Sequence, residues 1–488
     1  MATSTLAHQQ LTGYERLLIG GEWVEPSSDK KIDVISPFTE EVIARVPHAQ
    51  PPDVDRAVAA ARQAFDDGPW PKLPPAERAQ YLLKLRDEIE LRLDDMVAAF
   101  TADVGAPTAL SVAFHQMPLA MLADAATLHE RVAFEEERDW DGVRRARLVR
   151  EPIGVVAAIT PWNGPVGVAC LKMGPALAAG CTFILKPAEE GLTSVMLLAD
   201  AIAATGFPPG VVSILPAGRA VGEYLVTHPG IDKITFTGST AAGRRIMSLC
   251  AERIRPVTLE LGGKSAAIIA DDVPLEEVLP SLVPAGVGHS GQVCAALTRI
   301  LVPRERQEEL IEGLRRALAA WKPGDPTDPD TVLGPLVAER QRRRVEDYIK
   351  LGQEEGARLA VGGGRPKGLE HGWFVEPTVF ADVDNNMRIA QEEIFGPVLT
   401  VIPFDDVEEA VEIANDTQYG LSGAVYARDQ KLAEDIARRI RTGQVGVNSW
   451  DMCIVQPFGG YKQSGLGREG GVEGIMPYLE TKLLMSNT

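Results

Sequence analysis

Between about residues 153 and 305 the chain alternates short β-branched runs with helical stretches, and this rhythm limits its fold more than any other feature. GVVAAIT (154–160) reads as a buried strand, followed by an apolar helix and then CTFILKP (181–187) as a second strand. A helix over Ser194–Thr205 is stopped by Gly206 and Pro208. VVSILP (211–216), DKITFTG (232–238) and PVTLELGG (256–263) are further strands, separated by helices at Val221–Thr227 and Ala241–Arg253. Strands and helices in this alternation form right-handed βαβ units, so the expected class is α/β with a Rossmann-like, mostly parallel sheet.

A second α/β series starts near Ser265 and runs past residue 440, with SAAIIAD, a helix over Ser281–His289, RILVPR and a charged helix from Glu305 to Lys322. The stretch before residue 130 holds several helices, one of them charged at Ala76–Ala99. Residues 133–152 read as a polar hairpin turning at Asp141-Gly142, and LETKLLM near the C-terminus reads as a short strand. Exposed extended segments of this kind pair with something, often another subunit.

Composition excludes several classes. The 488 residues are 45% hydrophobic, enough for about three domains of ~150 residues and far from a disordered chain. With 49 basic and 68 acidic residues the net charge is −19, and no basic run offers a nucleic-acid footprint. RRRVEDYIK (Arg342–Lys350) interleaves acids with bases and reads as a solvated helix face. Cysteines 170, 181, 250, 294 and 453 are odd in number and contain no CxxC pair, which points to a reduced, cytoplasmic protein without a zinc site. The N-terminal MATSTLAHQQLTGYERLLIGGEW lacks the pattern of a secretion signal. Val166–Leu185 is a 20-residue run with the single charge Lys172 and with Pro175 inside it, so a buried helix plus strand is expected and not a membrane span. A lysine buried there needs a partner or a task.

Three places could carry chemistry. Cys294 lies in GHSGQVCAA, a small-residue turn where backbone N–H groups can face a substrate oxygen, with His289 five residues upstream as a conceivable partner. Glu260 in TLELGGKSA ends an expected buried strand, where a carboxyl must be paired or hold its proton more tightly, as suits a general base; a structural pairing with Lys264 is the alternative. ITPWN (159–163) lies at the C-terminal end of the first parallel strand, where open α/β folds bind ligands, and Asn163 can donate to an oxyanion. KPAE (186–189) could bond ribose hydroxyls, and FTGSTAAG (236–243) opens a helix whose N-terminus can receive a phosphate.

In order, ITPWN, KPAE, FTGST, LELGGK, GQVC, EEIFGP (392–397) and PFGGYKQSG (457–465) resemble the aldehyde dehydrogenase superfamily, and the resemblance starts at LLIGGEW (from Leu17). It implies a hydrolytic, NAD-dependent enzyme. Cys294 would attack an aldehyde to give a thiohemiacetal, with the oxyanion held by the Asn163 amide and the Cys294 N–H; loss of hydride to the nicotinamide would leave an acyl thioester. Glu260 would activate the hydrolytic water, and Lys172 with Glu469 (in GREGG) would relay its proton. Lys186 and Glu189 would bond the adenine-side ribose, Glu189 favouring NAD over NADP. Ser239 would meet the pyrophosphate, Trp162 line the cleft, and Glu393 with Phe395 hold the nicotinamide ribose. Thr160, Gly238, Gly243 and Leu261 complete the implied cofactor set, and no metal is implied.

The implied organisation is a dinucleotide-binding domain (1–132 and 153–262), a catalytic α/β domain (263–465) and a bridging arm (133–152 and 476–488) that assembles dimers or tetramers. Many relatives acting on small aldehydes carry aromatic residues where this chain has Gly164, Leu171 and Gly288. A wider tunnel is therefore expected, kept apolar by Phe458, Met452, Trp450 and Val293, for a bulky hydrophobic aldehyde. The alternatives are a CoA-acylating enzyme, which Glu260 argues against; a semialdehyde dehydrogenase, with Arg299 or Arg441 as anchor; and a catalytically silent scaffold, which retention of Cys294, Glu260 and Asn163 argues against.

Overall fold

A computed structural model describes residues 13–142, 144–453 and 455–485. The first twelve residues, which belong to the segment read for a secretion signal and to the expected cofactor domain, lie outside the described residues, as do 486–488 of the expected arm. The βαβ rhythm becomes an eight-stranded sheet whose middle five strands are parallel, in the spatial order Val257–Glu260, Lys233–Thr237, Val155–Ile159, Thr182–Lys186, Val212–Ile214. The chain moves outward in one direction from Val155–Ile159 and then returns to its other side at Lys233–Thr237. The strand order therefore switches between these two, and such a switch leaves a crevice at the carboxyl ends of the strands. Thr160 and Gly238 stand there. Antiparallel strands close both edges: Leu17–Ile19 with Glu22–Val24 at one, Gly465–Leu466 at the other.

The apolar run at 166–185 is a helix, Pro165–Ala179, then the buried strand Thr182–Lys186. Pro165 occupies the first helical turn, and Gly180 at φ +101° ends the helix in the left-handed region that glycine tolerates. Cys170, Met173 and Leu177 of this helix pack on Val156, Ala158, Phe183 and Leu185 of the sheet. Each large apolar side chain fully buried in this way contributes about 1.5–3 kcal/mol. Among the described residues no helix is long and apolar enough to cross a membrane.

A second sheet of seven strands runs in the order Arg358–Val361, Thr378–Ala381, Val398–Phe404, Leu297–Pro303, Ser265–Ile269, Gly423–Tyr426, Gly446–Val447, all parallel except the first. The hairpin Glu135–Asp139/Arg145–Pro152 accepts Leu479–Met485 as a third, antiparallel strand at its edge.

Three expected helices end differently. Ala76–Ala99 is two helices, Pro75–Glu90 and Leu93–Val104, because the chain turns at the exposed Leu91 and so buries Met96 and Phe100 on a separate axis. Glu305–Lys322 shortens to Gln307–Leu318. The helix expected at Ser281–His289 begins at Leu275 and stops at Val287, because His289 and Ser290 take φ values of +53° and +55° in a tight turn before Cys294.

Candidate active site

Glu260 is the last residue of its strand, and two glycines follow it for steric reasons. A Cβ on Gly262 would lie 2.4 Å from Glu393 Oε2, and one on Gly263 would lie 2.4 Å from the Cys294 carbonyl oxygen. The pair thus lets the Glu393 loop and the Cys294 turn close on the strand end. Gly263 N–H then donates to Glu393 Oε1 at 3.1 Å.

Cys294 and Asn163 line one cavity of about 280 Å³ together with Trp162, Thr237, Gly262 and Glu393. One Asn163 Nδ2 proton is donated to the Gln292 carbonyl at 2.8 Å, which orients the amide and leaves its second N–H for another acceptor. Gln292 is itself fixed, since its Oε1 accepts from Val337 N–H at 3.0 Å and its Nε2 donates to the His289 carbonyl at 3.1 Å. Burial, then the nearby Glu393 and Glu260, push the Cys294 thiol up to about 12. His289 is no partner for it: its ring packs 5.2 Å from Phe114 and 5.8 Å from Phe100, and burial pushes it down to about 4.

Glu260 is 3% exposed, and neither of its carboxyl oxygens has a hydrogen-bond partner among the described residues. Burial and then Glu469 push its proton affinity well above the usual carboxyl range, against the pull of Lys172 and Arg468. Gly459 gives it room, for a Cβ there would lie 2.5 Å from Glu260 Oε1. The structural alternative, a Glu260–Lys264 pair, does not form among the ion pairs of the described residues. Lys172 instead pairs with Glu469, both fully buried, and Thr235 Oγ1 lies 3.2 Å from Lys172 Nζ and from Glu469 Oε1.

On the other side of Trp162 a second cavity of about 360 Å³ is lined by Lys186, Glu189, Arg219, Glu223 and Phe236. Burial pushes Lys186 down to about 8, opposed by Glu189 and Glu190. Between the two cavities Ser239 caps the helix Thr240–Ala251 by accepting from Ala242 N–H. Gly238 and Gly243 give close approach, since a Cβ on either would lie 2.5 Å from Phe236 or Leu261. Thr160 and Thr237 each keep a buried hydroxyl without a partner at the crevice. Phe395, at φ +64°, sets its ring edge-on to Trp162 at 5.5 Å. Two cavities that share Trp162, the helix N-terminus at Ser239 between them, and two hydroxyls unpaired among the described residues fit a dinucleotide.

Sequence reasoning missed the helix Glu339–Glu354 as part of this wall. Its Arg342 is buried and donates to the Gly372 carbonyl, so the expected solvated face is only partly solvated. Gln341 and Arg344 line the Cys294 cavity and donate to the Phe395 and Ile394 carbonyls at 2.7 and 3.2 Å. Their three-residue spacing on one helix face was the only available signal.

On the side away from this cavity Val293, Trp450 and Met452 pack with Cys294 around Ala295, Leu421 and Phe458. A Cβ on Gly288 meets nothing within 4 Å, but one on Gly164 meets the Phe114 ring at 3.5 and 3.6 Å. Leu171 instead lines a small cleft with Met121, Asp124 and Gly470. Arg299 is 1% exposed and gives four of its five N–H protons to the Lys264, Ile413 and Ala414 carbonyls and to Asn385, so it is engaged in the interior and away from the Cys294 cavity lining.

A parallel-sheet crevice at a strand-order switch, opening on a cavity that holds an oriented amide and a cysteine, defines a class: dinucleotide-dependent α/β enzymes. The chain matches the model of the aldehyde dehydrogenase family over residues 23–484. It is 44% identical over 470 residues to the geranial dehydrogenase of Castellaniella defragrans, covering 96% of this chain and 98% of that one. Its fold superposes on the crystal structure of a Mycobacterium tuberculosis aldehyde dehydrogenase complexed with NAD+ with a TM-score of 0.95, at 46% identity and with 97% and 98% of the two chains covered. Aldehyde dehydrogenase C of Pseudomonas syringae, a cysteine-to-alanine mutant complexed with NAD+ and octanal, matches with a TM-score of 0.93, at 41% identity and with 97% of each chain covered. The chain belongs to the aldehyde dehydrogenase family and oxidises an aldehyde to the carboxylic acid.

Proposed function

We propose that this chain oxidises a bulky hydrophobic aldehyde with NAD and hydrolyses its own acyl-cysteine. The observation that carries this reading is Cys294 in one cavity with an oriented amide, Asn163, and near enough to the buried carboxyl Glu260 to feel its charge. The Cys294 thiol passes its proton to water as its sulfur bonds to the aldehyde carbon and the carbonyl π pair moves onto the oxygen. The oxygen that becomes anionic accepts from the second Asn163 Nδ2–H and the Cys294 backbone N–H. When bound, NAD supplies the two-electron acceptor that converts this adduct to the thioester. Lys186 and Glu189 hold its adenine-side ribose, Ser239 and the Gly238 turn its pyrophosphate, and Glu393 with Phe395 its nicotinamide ribose; Trp162, Thr160, Gly243 and Leu261 shape the cleft. Glu260 then takes a proton from water as the water oxygen bonds to the thioester carbon and the sulfur leaves. Lys172 and Glu469 pass that proton on.

A Glu189 carboxylate accepts from a 2′-hydroxyl and repels a 2′-phosphate, which favours NAD over NADP. The open space at Gly288 and the apolar lining from Val293, Trp450, Met452 and Phe458 support a large apolar substrate. The geranial and octanal named for the two relatives above are aldehydes of that kind. The eight-stranded sheet serves as the cofactor domain, the seven-stranded sheet as the catalytic domain and the three-stranded sheet as the arm. Edge strand Leu479–Met485 is paired on one side only and exposes Leu483, Leu484 and Met485 by 48, 47 and 65%. A second copy covering it in a dimer or tetramer accounts for both features. Five unpaired cysteines support a reducing, cytoplasmic compartment.

The test is NADH formation by the purified protein with acetaldehyde, benzaldehyde, a long-chain aldehyde and a terpenoid aldehyde, with and without CoA. CoA-independent turnover, abolished in Cys294→Ala and fastest with the larger aldehydes, is expected. Turnover that requires CoA, or none despite NAD binding, overturns the hydrolytic reading.

A further inference from the structure

Lys172 and Glu469 are joined by a third residue. Helix Pro165–Ala179 brings Lys172 onto the sheet, where Thr235 of the inner strand Lys233–Thr237 is 0% exposed. Its hydroxyl accepts from Lys172 Nζ at 3.2 Å and donates to Glu469 Oε1 at 3.2 Å. Lys172 Nζ donates to the same Oε1. One carboxyl oxygen is therefore held from two directions. Lys233, the other cation close by, donates instead to Thr258 Oγ1 at 2.9 Å.

The second oxygen of Glu469 is left open. Oε2 is buried without a hydrogen-bond partner among the described residues, and so are both oxygens of Glu260. Glu469 is also the charge that acts most on Glu260. Thr235 and Thr237 share one face of their strand, and Glu260 lies directly beside Thr237 on the next strand, so the pair and the base sit on one face of the sheet. A proton leaving Glu260 needs an acceptor with a free lone pair, and Oε2 is the oxygen that Glu469 keeps free.

The main chain does not by itself fix that oxygen. Glu469 exchanges two backbone hydrogen bonds with Phe458, at 2.8 and 2.7 Å, which hold its Cα. The last torsion of a glutamate is broad and two-fold, so a carboxyl held by a single contact pivots about it. Two contacts on Oε1, from the ammonium and from the hydroxyl, hold its plane.

We propose that Thr235 is a positioning residue of the proton relay, whose hydroxyl bridges Lys172 and Glu469 and keeps Glu469 Oε2 free for the proton that leaves Glu260. The proposal rests on the relay reading above. In this step the Glu260 O–H bond breaks and an O–H bond forms on Glu469 Oε2. Glu260 regains its negative charge as Glu469 loses its own, and no other reactant is needed.

The test uses the whole enzyme with NAD and the best aldehyde of the panel above. The NADH burst measures acylation, and decay of the acyl-enzyme, followed by intact mass, measures hydrolysis. Thr235→Val removes the hydroxyl and Thr235→Ser keeps it; Thr235→Ala replaces the Val variant where that does not fold. Loss of the bridge should slow decay roughly three- to tenfold, as expected for one neutral hydrogen bond, leave the burst rate unchanged, and be restored by Ser. Decay at the wild-type rate without the hydroxyl, burst and decay slowed alike, or no recovery with Ser overturns the proposal. A Glu469→Gln control whose acyl-enzyme decays at the wild-type rate overturns the relay reading itself; Lys172→Gln takes its place where it does not fold. A control slowed in decay upholds that reading, and the Thr235 variants then test the bridge alone.

Discussion

The two walls around Cys294 are built by opposite means. The cofactor wall is made of backbone and glycine: a Cβ at Gly238, Gly243 or Gly262 would lie within 2.4–2.5 Å of Phe236, Leu261 or Glu393. The opposite wall is made of side chains from separate segments, with Phe114, Val293, Trp450, Met452 and Phe458 as its members, and at Gly288 it has open space. Contacts made by backbone cannot be re-cut by one substitution without moving a strand end. Contacts made by side chains can. The difference teaches that one scaffold can keep its cofactor and its chemistry rigid while its aldehyde range is set by a few exchangeable side chains.

The sharpest way to break this picture is at the point where the walls meet. Cys294→Ala should lower oxidation by roughly four orders of magnitude or more while NAD binding, followed by quenching of tryptophan fluorescence, is unchanged. Loss of NAD binding as well would mean that the thiol belongs to the cofactor wall. Glu260→Gln should lower steady-state turnover by about 10²–10⁴-fold and keep the first-turnover burst of NADH. Because burial and Glu469 raise the proton affinity of Glu260, hydrolysis should gain activity with rising pH above the ordinary carboxyl range. A limb at the pKa of a solvated carboxyl would sink the buried-base geometry.

On the cofactor wall Gly262→Ala pushes against the Glu393 carboxyl, and KM for NAD should rise roughly tenfold, about 1.4 kcal/mol, with kcat less affected. Burial places Glu393 at about 7. Below that pH it is protonated and loses acceptor capacity toward a ribose hydroxyl, so KM for NAD should climb as the pH falls from about 8 to about 6, and a flat profile counts against its role.

How much of this was legible in the sequence follows the same division. The strand–helix alternation, the mostly parallel sheet and the strand-end motifs could be read because β-branched runs and glycines report backbone geometry, whereas the spatial order of the strands is set by tertiary pairing. Lys172 and Glu260 stood out because charges inside apolar runs demand an explanation. Gln292, Gln341, Arg344 and Phe114 act through approach across the tertiary structure, which no local pattern encodes. The left-handed turn at His289 and Ser290 was hidden because positive φ is uncommon at any residue other than glycine; its close packing is seen at Gly291, where a Cβ would lie 2.0 Å from the Gly396 carbonyl oxygen. Its place five residues before Cys294 made His289 a conceivable partner in sequence, although its ring packs against Phe100 and Phe114.

The smallest and most discriminating effect lies on the side-chain wall. Gly164 and Gly288 both read as missing rings, but their surroundings differ. A side chain at Gly288 enters open space, so Gly288→Leu should fold normally and raise KM for a terpenoid aldehyde several-fold, with little change for acetaldehyde. At Gly164 the Cβ alone would already be in van der Waals contact with the Phe114 ring, so the longer side chain of Gly164→Leu should lower stability by about 1–3 kcal/mol through overpacking. Phe114→Ala in the same chain removes the obstacle and should restore both stability and the size-dependent rise in KM. The thermal midpoint and the ratio of kcat/KM for the two aldehydes separate these effects. Equal changes for large and small aldehydes in Gly288→Leu, or no rescue by Phe114→Ala, would show that Gly288 and Phe114 do not set the width of the route to Cys294.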